Sequence, residues 1–426
     1  MARQETFKYD LAVVGLGYVG LPLLEAAAKS KARVIGYDTR EAHVLSLIES
    51  FGSFSDEELT IPNFTATAAS LRDAENICVC VPTPLDASGA PDLSFVRDAA
   101  ETIGGVLRDG QLIVLESTTF PGTTEGVFRE VLETTSGMTA GINFEIAYSP
   151  ERIDPGNKTF GISNTPKLVG GLSGRATERA VNLYSRFIDT VIPASSAKAA
   201  ESAKLLENTF RHVNIAFVNE FAMACNALGV DVFEVIDLAA SKPFGFQRFV
   251  PGAGAGGHCI PVDPNYLVHS LRLIGDENYT SILFSNEVNE RVASYLCNQV
   301  AEFLNQNAQP DSTSRVVAVL GLTYKPDTQD DRESPAERII PGLESIASEI
   351  LVHDPHITSR DYWHGYKMIR EERFEECLER ADCILVLQPH SKYLEQAAFL
   401  NKFESKSILA FRGVELEARH AYEPTI

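Results

Sequence analysis

The chain has 426 residues, 44% hydrophobic and 22% charged, with a formal net charge of −21. That length allows two or three domains of ordinary globular composition, and no apolar run approaches the roughly 18 residues a membrane helix needs. The acidic balance argues against nucleic acid, so an anionic ligand must be held by local basic groups and helix N-termini.

The first residues, MARQETFKYD, carry no apolar signal core, and a cytoplasmic location is the default expectation. Seven cysteines without a CxxC pair suggest neither a disulfide framework nor a metal site. Residues 9–14 read as a strand, 18–29 as a helix and 33–37 as a second strand ended by Asp38. The runs 77–81, 112–116 and 145–148 continue the series, separated by helix-length segments such as 93–107. Alternation of this kind implies an α/β domain with a parallel sheet and helices on both faces.

A different pattern begins near Ser195, where a stretch without proline or internal glycine runs to Gly229. Ser195 or Ser196 can cap its start and Gly229 can end it, giving one helix of about 30 residues. A shorter helix follows from Asp231, then a glycine-rich loop over 251–264, then more helix to about residue 307. Residues 315–320 read as a strand again. Ser334, Pro335 and Glu337 form the signature of a capping box. The runs 350–353, 383–387 and 407–410 complete a second α/β set. The expected division is an α/β domain at 1–195, a central helical domain at 196–307 and a C-terminal Rossmann-like domain at 308–426.

Gly15-Leu16-Gly17-Tyr18-Val19-Gly20 follows a strand and opens a helix. In such a fingerprint the first glycine permits the tight turn, the second lets backbone approach a pyrophosphate, and the third lets helix pack on strand. Asp38, 18 residues past Gly20 at the end of the next strand, can take a ribose 2′-OH and would repel a 2′-phosphate. This is the pattern of an N-terminal Rossmann domain that uses NAD. Two more loops follow strand ends: Val81-Pro82-Thr83-Pro84 and Glu116-Ser117-Thr118-Thr119. Each alone is ordinary turn chemistry; their shared edge placement favours a cofactor site.

Lys204 and Asn208 are one turn apart on the long helix and share a face, with Glu201 and Arg211 nearby. A lysine beside an amide there can steady a developing oxyanion. Most lone cysteines are inert core residues. Cys259, however, lies among glycines with His258 beside it and Asp263 four residues on, and is a candidate nucleophile. The other six cysteines lie in apolar strand or helix patterns. Glu151 follows a strand end and is either a general base or a surface acid. The residues alone do not name a substrate.

Seven ordered segments resemble the family of UDP-glucose, GDP-mannose and UDP-N-acetylhexosamine 6-dehydrogenases almost end to end. They are VVGLGYVGLPL, VPTPLD, ESTTFPGTT, SPERIDPGN, AAESAKLLENTFRHVNIAFVNE, GAGAGGHCIPVDP and GLTYKPDTQDDRES. The resemblance implies oxidation of a sugar C6 alcohol to a uronate with two NAD, of the kind used in polysaccharide biosynthesis. Cys259 would carry a thiohemiacetal and then a thioester. Lys204 would stabilise oxyanions, Asn208 and Asp263 would help position water, and Glu151 with Thr118 would handle protons. It also implies that Arg152, Arg211, Phe249, Gly256, Lys325, Arg332 and Arg412 meet the nucleotide sugar, and that residues 197–229 build a homodimer. The wording around Cys259, around Glu151 and at Lys242-Pro-Phe-Gly-Phe looks like the N-acetylhexosamine branch, with UDP-N-acetylglucosamine the first expectation and UDP-glucose or dTDP-glucose the alternative. One departure is Ala410, where the family often has an acid. Two rival classes remain: a two-electron β-hydroxyacid dehydrogenase, which needs neither Cys259 nor a second α/β domain, and a non-enzymatic nucleotide sensor, in which one of Cys259, Lys204, Asn208 and Asp263 should have been lost.

Overall fold

The computed structural model describes residues 7–52, 62–154, 157, 159–276, 278–307, 315–357, 360–395, 401–410 and 419–420. The chain forms two compact units, Met1–Glu207 with Asn265–Glu277, and Asn208–Pro264 with Asn278–Ile426.

The first unit alternates strand and helix as the apolar runs predict. In chain order it holds β1 (Tyr9–Val14), α1 (Gly20–Lys29), β2 (Val34–Tyr37), α2 (Glu41–Gly52), β3 (Asn63–Thr65) and β4 (Ala74–Val79). Next come α3 (Ser94–Gly104), β5 (Leu112–Leu115), α4 (Arg129–Ser136), β6 (Glu145–Tyr148), β7 (Lys167–Gly171), α5 (Gly174–Tyr184) and β8 (Val191–Pro193). The strands form one sheet in the order β3-β2-β1-β4-β5-β6-β7-β8, parallel except between β6 and β7. Successive residues of β1 and β4 enter different cores: Ala12, Val14, Ile77 and Val79 face one side, Leu11, Val13 and Cys78 the other. Burial on both faces is why these strands read as unbroken apolar runs rather than alternating ones. The strand order reverses at β1 and β4, whose last residues, Val14 and Val79, lie side by side. That crevice is where such sheets bind ligands.

Helix α6 (Ala197–Leu228) starts in the first unit and ends in the second. Its cap is Ser196, whose Oγ accepts from Ala199 N at 3.1 Å. It stops at Gly229 (φ +72°), with Val230 N donating back to Cys225 O. The second unit continues with α7 (Val232–Ala240), capped by Asp231, then α8 (Asp263–Leu273), which returns to the first unit, and α9 (Thr280–Gln306). Then follow β9 (Val316–Leu320), α10 (Ala336–Leu343), β10 (Glu349–His353), β11 (Tyr362–Trp363), β12 (Tyr366–Met368), α11 (Phe374–Arg380), β13 (Cys383–Val386), α12 (Ser391–Glu395), β14 (Ser407–Leu409) and β15 (Arg419–His420). These strands make a second sheet, β11-β12-β10-β9-β13-β14-β15, parallel apart from the β11–β12 pair. Val317 and Val319 pack with α6, α7 and α9, while Val316, Ala318 and Leu320 pack with α11.

The start of α10 differs from a full capping box. Ser334 Oγ accepts from Ala336 N, two residues on, and Glu337 faces His364 at 3.7 Å instead of reaching back. Pro335 in the helical region tightens the first turn and shifts which amide the hydroxyl meets.

Glycine is required unequally. A Cβ at Gly170 would lie 2.1 Å from the Ser196 carbonyl oxygen, whereas at Gly137 (φ +70°) nothing lies within 4 Å. Gly137→Ala should therefore cost about 1 kcal/mol, the left-handed penalty alone. Gly170→Ala should cost several times that through backbone displacement. Thermal unfolding of the two variants checks the ranking.

Candidate active site

At the switch point the fingerprint glycines behave as their spacing predicts. Gly15 has φ +89°, and a Cβ there would stand 2.5 Å from Cys80 O. A Cβ at Gly20 would stand 1.9 Å from Gly15 O. Gly17 has nothing within 4 Å of its would-be Cβ, which leaves its backbone open to a bound diphosphate. Tyr18 is exposed and Val19 half-buried. Asp38 is buried; Oδ2 accepts from Leu16 N at 3.1 Å and so ties the second strand to the glycine turn. Arg40 forks onto the same carboxylate, Nε to Oδ1 at 3.0 Å and Nη2 to Oδ2 at 3.1 Å. Burial raises the Asp38 pKa, but these Arg40 contacts prevail and hold it below the usual carboxylate range. The sequence reading missed Arg40, although its place two residues after the acid was a signal.

Ser117 binds the two further loops together. Its Oγ accepts from Val81 N at 3.0 Å and donates to Val81 O at 2.7 Å. Thr83 O accepts from Tyr266 Oη at 2.7 Å, Pro82 is exposed and Thr118 is half-buried. Glu201, fully buried on α6, anchors the next stretch of that loop. It accepts from Gly122 N at 2.6 Å, Thr124 N at 2.9 Å and Thr124 Oγ1 at 2.6 Å. Its role is to fix the loop carrying Thr118 and Thr119 to the long helix, which no local sequence pattern revealed.

Lys204 lies one turn further along α6. It is only 9% exposed, and among the described residues no group pairs with it. Burying a cation without a partner is costly, so this position differs from an ordinary solvated helix surface. Glu151, after β6, is half-buried, and its Oε1 accepts from Arg152 N at 2.7 Å and Ile153 N at 2.6 Å. Arg152 itself forks onto Glu207 of α6 and reaches Pro166 O. Its guanidinium therefore holds the Glu151 loop against α6.

In the second unit, Asn208 donates from Nδ2 to Asp263 Oδ2 at 2.5 Å. Asp263 is buried at the first turn of α8, and its N–H donates to Cys259 O at 2.9 Å. The structure thus brings together Asn208, Cys259 and Asp263. The glycine loop is pinned at both ends: Gly252 N donates to Asn219 Oδ1 at 2.9 Å, and Gly257 N to Glu333 O at 3.2 Å. Gly257 has φ +86°, and a Cβ on it would meet the Tyr324 ring at 2.9 Å. At Gly256 a Cβ would meet Pro335 Cδ at 2.6 Å. Tyr324 was not a sequence candidate. Phe249 packs edge-on to Phe210, and Arg211 is exposed.

Lys325 is half-buried in the loop after β9, whose turn is closed by Thr323 and Thr328 hydroxyls donating to Lys325 O. Arg332 forks onto Asp330 at 2.8 and 2.7 Å. Arg412 lies outside the described residues. Asp327, His356 and His390 could each offer a cation one atom within 4.8 Å of the others. However, His390 Nδ1 already accepts from Asp327 N, and Nε2 faces Asp354 Oδ2, both at 3.0 Å. That ring is committed to holding the loop.

None of the seven cysteines is joined in a disulfide. Burial pushes the Cys78 and Cys80 thiols well up and Cys297 up to about 11. Iodoacetamide at pH 8 on the native protein should label Cys259 and the half-buried Cys377, leaving Cys78, Cys80 and Cys297 unlabelled until denaturation. Peptide mass spectrometry reads the result. Gly20→Ala should abolish NAD binding by displacing the turn, as titration calorimetry would show.

Three models of one family match the chain in order: the NAD binding domain of the UDP-glucose/GDP-mannose dehydrogenase family over residues 9–188, its central domain over 198–291, and its UDP binding domain over 318–414. Protein CapL of Staphylococcus aureus is 36% identical over 91% of both chains. The UDP-N-acetyl-D-glucosamine 6-dehydrogenase of Pseudomonas aeruginosa is 36% identical over 84% of this chain and 85% of its own. Among solved structures, the UDP-D-ManNAc dehydrogenase of Pyrococcus horikoshii superposes with a TM-score of 0.84 at 30% identity, covering 98% of this chain and all of that one. With a glycine turn open to a dinucleotide at one end and three matching domain models in register, the chain belongs to the UDP-glucose/GDP-mannose dehydrogenase family and is an NAD-dependent nucleotide-sugar dehydrogenase.

Proposed function

We propose that the chain oxidises C6 of a UDP-N-acetylhexosamine, UDP-N-acetylglucosamine in particular, from alcohol to carboxylate through a covalent bond to Cys259. The carrying observation is the Asn208–Asp263 hydrogen bond in the turn that presents Cys259, with the buried Lys204 one helical turn before Asn208. The names of the relatives from Pseudomonas and Pyrococcus support an N-acetylated sugar.

Bound NAD supplies the two-electron acceptor for each oxidation. Glu151, assisted by Thr118, takes the proton of the C6 hydroxyl. The Cys259 thiolate adds to the resulting aldehyde and forms a thiohemiacetal, which keeps the reactive carbonyl on the enzyme. Lys204 stabilises the oxyanion. A second oxidation leaves a thioester. Asn208 and Asp263 place the water that cleaves it, which releases the uronate and restores the thiol. Residues 1–195 carry the cofactor, 196–307 the cysteine loop and the dimer contact, and 308–426 the nucleotide. There Lys325 is the cation for the diphosphate, with Arg332 and Arg412 as further contacts; Arg152, Arg211, Phe249 and Gly256 complete the substrate-binding set. Leu206, Phe210, Phe217, Phe221 and Leu228 form an exposed apolar stripe along α6 with spacings of four and seven, which suits pairing with a second copy.

Alcohol to carboxylate removes four electrons, so UDP-N-acetylglucosamine should yield about two NADH per sugar. It should outrun UDP-glucose, UDP-N-acetylmannosamine, UDP-N-acetylgalactosamine and dTDP-glucose in kcat/KM. Faster turnover of UDP-glucose would overturn the sugar assignment, and one NADH per sugar would reopen the two-electron class. Lys204→Ala should lower kcat by about 100- to 1,000-fold. Phe217→Asp should convert a dimer to monomer in sedimentation.

A further inference from the structure

Behind Glu151 lies a buried chain of polar groups that the mechanism above does not use. Lys167, the first residue of β7, is 5% exposed, and Glu116, just past β5, is 1% exposed. Lys167 Nζ meets Glu116 Oε2 at 2.8 Å, Pro150 O at 3.4 Å and Glu151 Oε2 at 3.7 Å. Three donor hydrogens thus face three acceptors. Glu116 Oε1 accepts from Tyr184 Oη, which also contacts Cys78 Sγ at 3.3 Å, and the Tyr184 ring lies 5.0 Å under Nζ. Burial pulls the Lys167 pKa down, but Glu116 and Glu151 prevail and hold it above the ordinary lysine value.

The two oxygens of Glu151 are not equivalent. Oε1 is saturated by the Arg152 and Ile153 amides, while Oε2 meets no hydrogen-bond donor among the described residues within bonding distance and faces Lys167. We propose that Lys167 is a positioning residue for the reaction: it faces and aims Glu151 Oε2, and Glu116 with Tyr184 holds Lys167. This rests on the reading of Glu151 as the base. The charged and titratable groups around Glu151 are Lys167 and Glu116, the buried Cys80 thiol, and Arg152, which is turned toward Glu207. Lys167 is the only cation among these aimed at Oε2. Removing it makes protonation of the base easier, whereas removing Glu116 relieves Glu151 of a competing negative charge and makes protonation harder.

The test is the pH profile of kcat/KM for the full-length enzyme with saturating NAD and UDP-N-acetylglucosamine. The pair Glu116→Gln with Lys167→Met removes both buried charges together and avoids leaving one unpaired. Its acid limb should lie above that of Glu116→Gln alone, the difference between the two being the loss of Lys167, with activity recovering at high pH. Glu116→Gln alone should move the limb down. Lys167→Arg keeps the cation and should show less displacement than the pair. A purely structural role would not give shifts of opposite sign. Glu151→Gln serves as the reference and should lower kcat by about 100- to 10,000-fold with loss of that limb. If Glu151→Gln does so while the pair's limb coincides with that of Glu116→Gln alone, the Lys167 assignment is overturned and the Glu151 reading stands. If Glu151→Gln keeps parent turnover, the base reading fails and the Lys167 assignment falls with it. If the pair does not fold, the downward shift in Glu116→Gln decides: its absence overturns the assignment.

Discussion

An α-helix sets its side chains at 1.5 Å and 100° per residue, and it can do so over a long distance only if nothing interrupts its hydrogen-bond ladder. Helix α6 keeps that ladder for 32 residues without glycine or proline. Along it, Glu201 grips the loop of Thr119 to Thr124, Lys204 stands buried one turn on, Asn208 reaches Asp263 beside Cys259, and Asn219 holds the start of the glycine loop. A one-residue slip or kink in α6 would rotate these groups by about 100° relative to one another.

The charge pattern follows from the same economy. A chain of net charge −21 must bind an anionic nucleotide sugar, so its cations are sorted by position. Arg152, Arg332 and Arg40 are each forked onto a nearby carboxylate, which fixes loops and cancels their long-range fields. Lys204 is buried with no pairing group among the described residues, and Lys167 is buried between two carboxylates. Exposed pairs of the first sort contribute little to stability, while burying a cation costs free energy that a surface position does not.

Local features were legible in the sequence and distant partnerships were not. The strands Tyr9–Val14 and Glu145–Tyr148 match their apolar runs residue for residue, because strands buried on both faces announce themselves by composition. The long helix was bounded by Ser195 or Ser196, of which Ser196 is the cap, and by the Gly229 terminus. Gly15 was required by the tight turn its spacing implied, whereas Gly20 is required by the Gly15 carbonyl that closes on it. By contrast, Lys167 and Glu116 are 51 residues apart, and nothing in either segment points to the other. Tyr324 against Gly257 is the same kind of fact, a steric requirement set by a loop far along the chain. The Ser334 cap was anticipated, but the amide it meets depends on how Pro335 winds the first turn.

The central claim is the covalent bond at Cys259, and acid-quenched mass spectrometry tests it most directly. During steady-state turnover of UDP-N-acetylglucosamine with NAD, the account predicts a sugar-nucleotide adduct confined to the peptide bearing Cys259, enriched when Asp263→Asn slows hydrolysis and absent in Cys259→Ser. An adduct that never forms, together with undiminished turnover in Cys259→Ser, would contradict it.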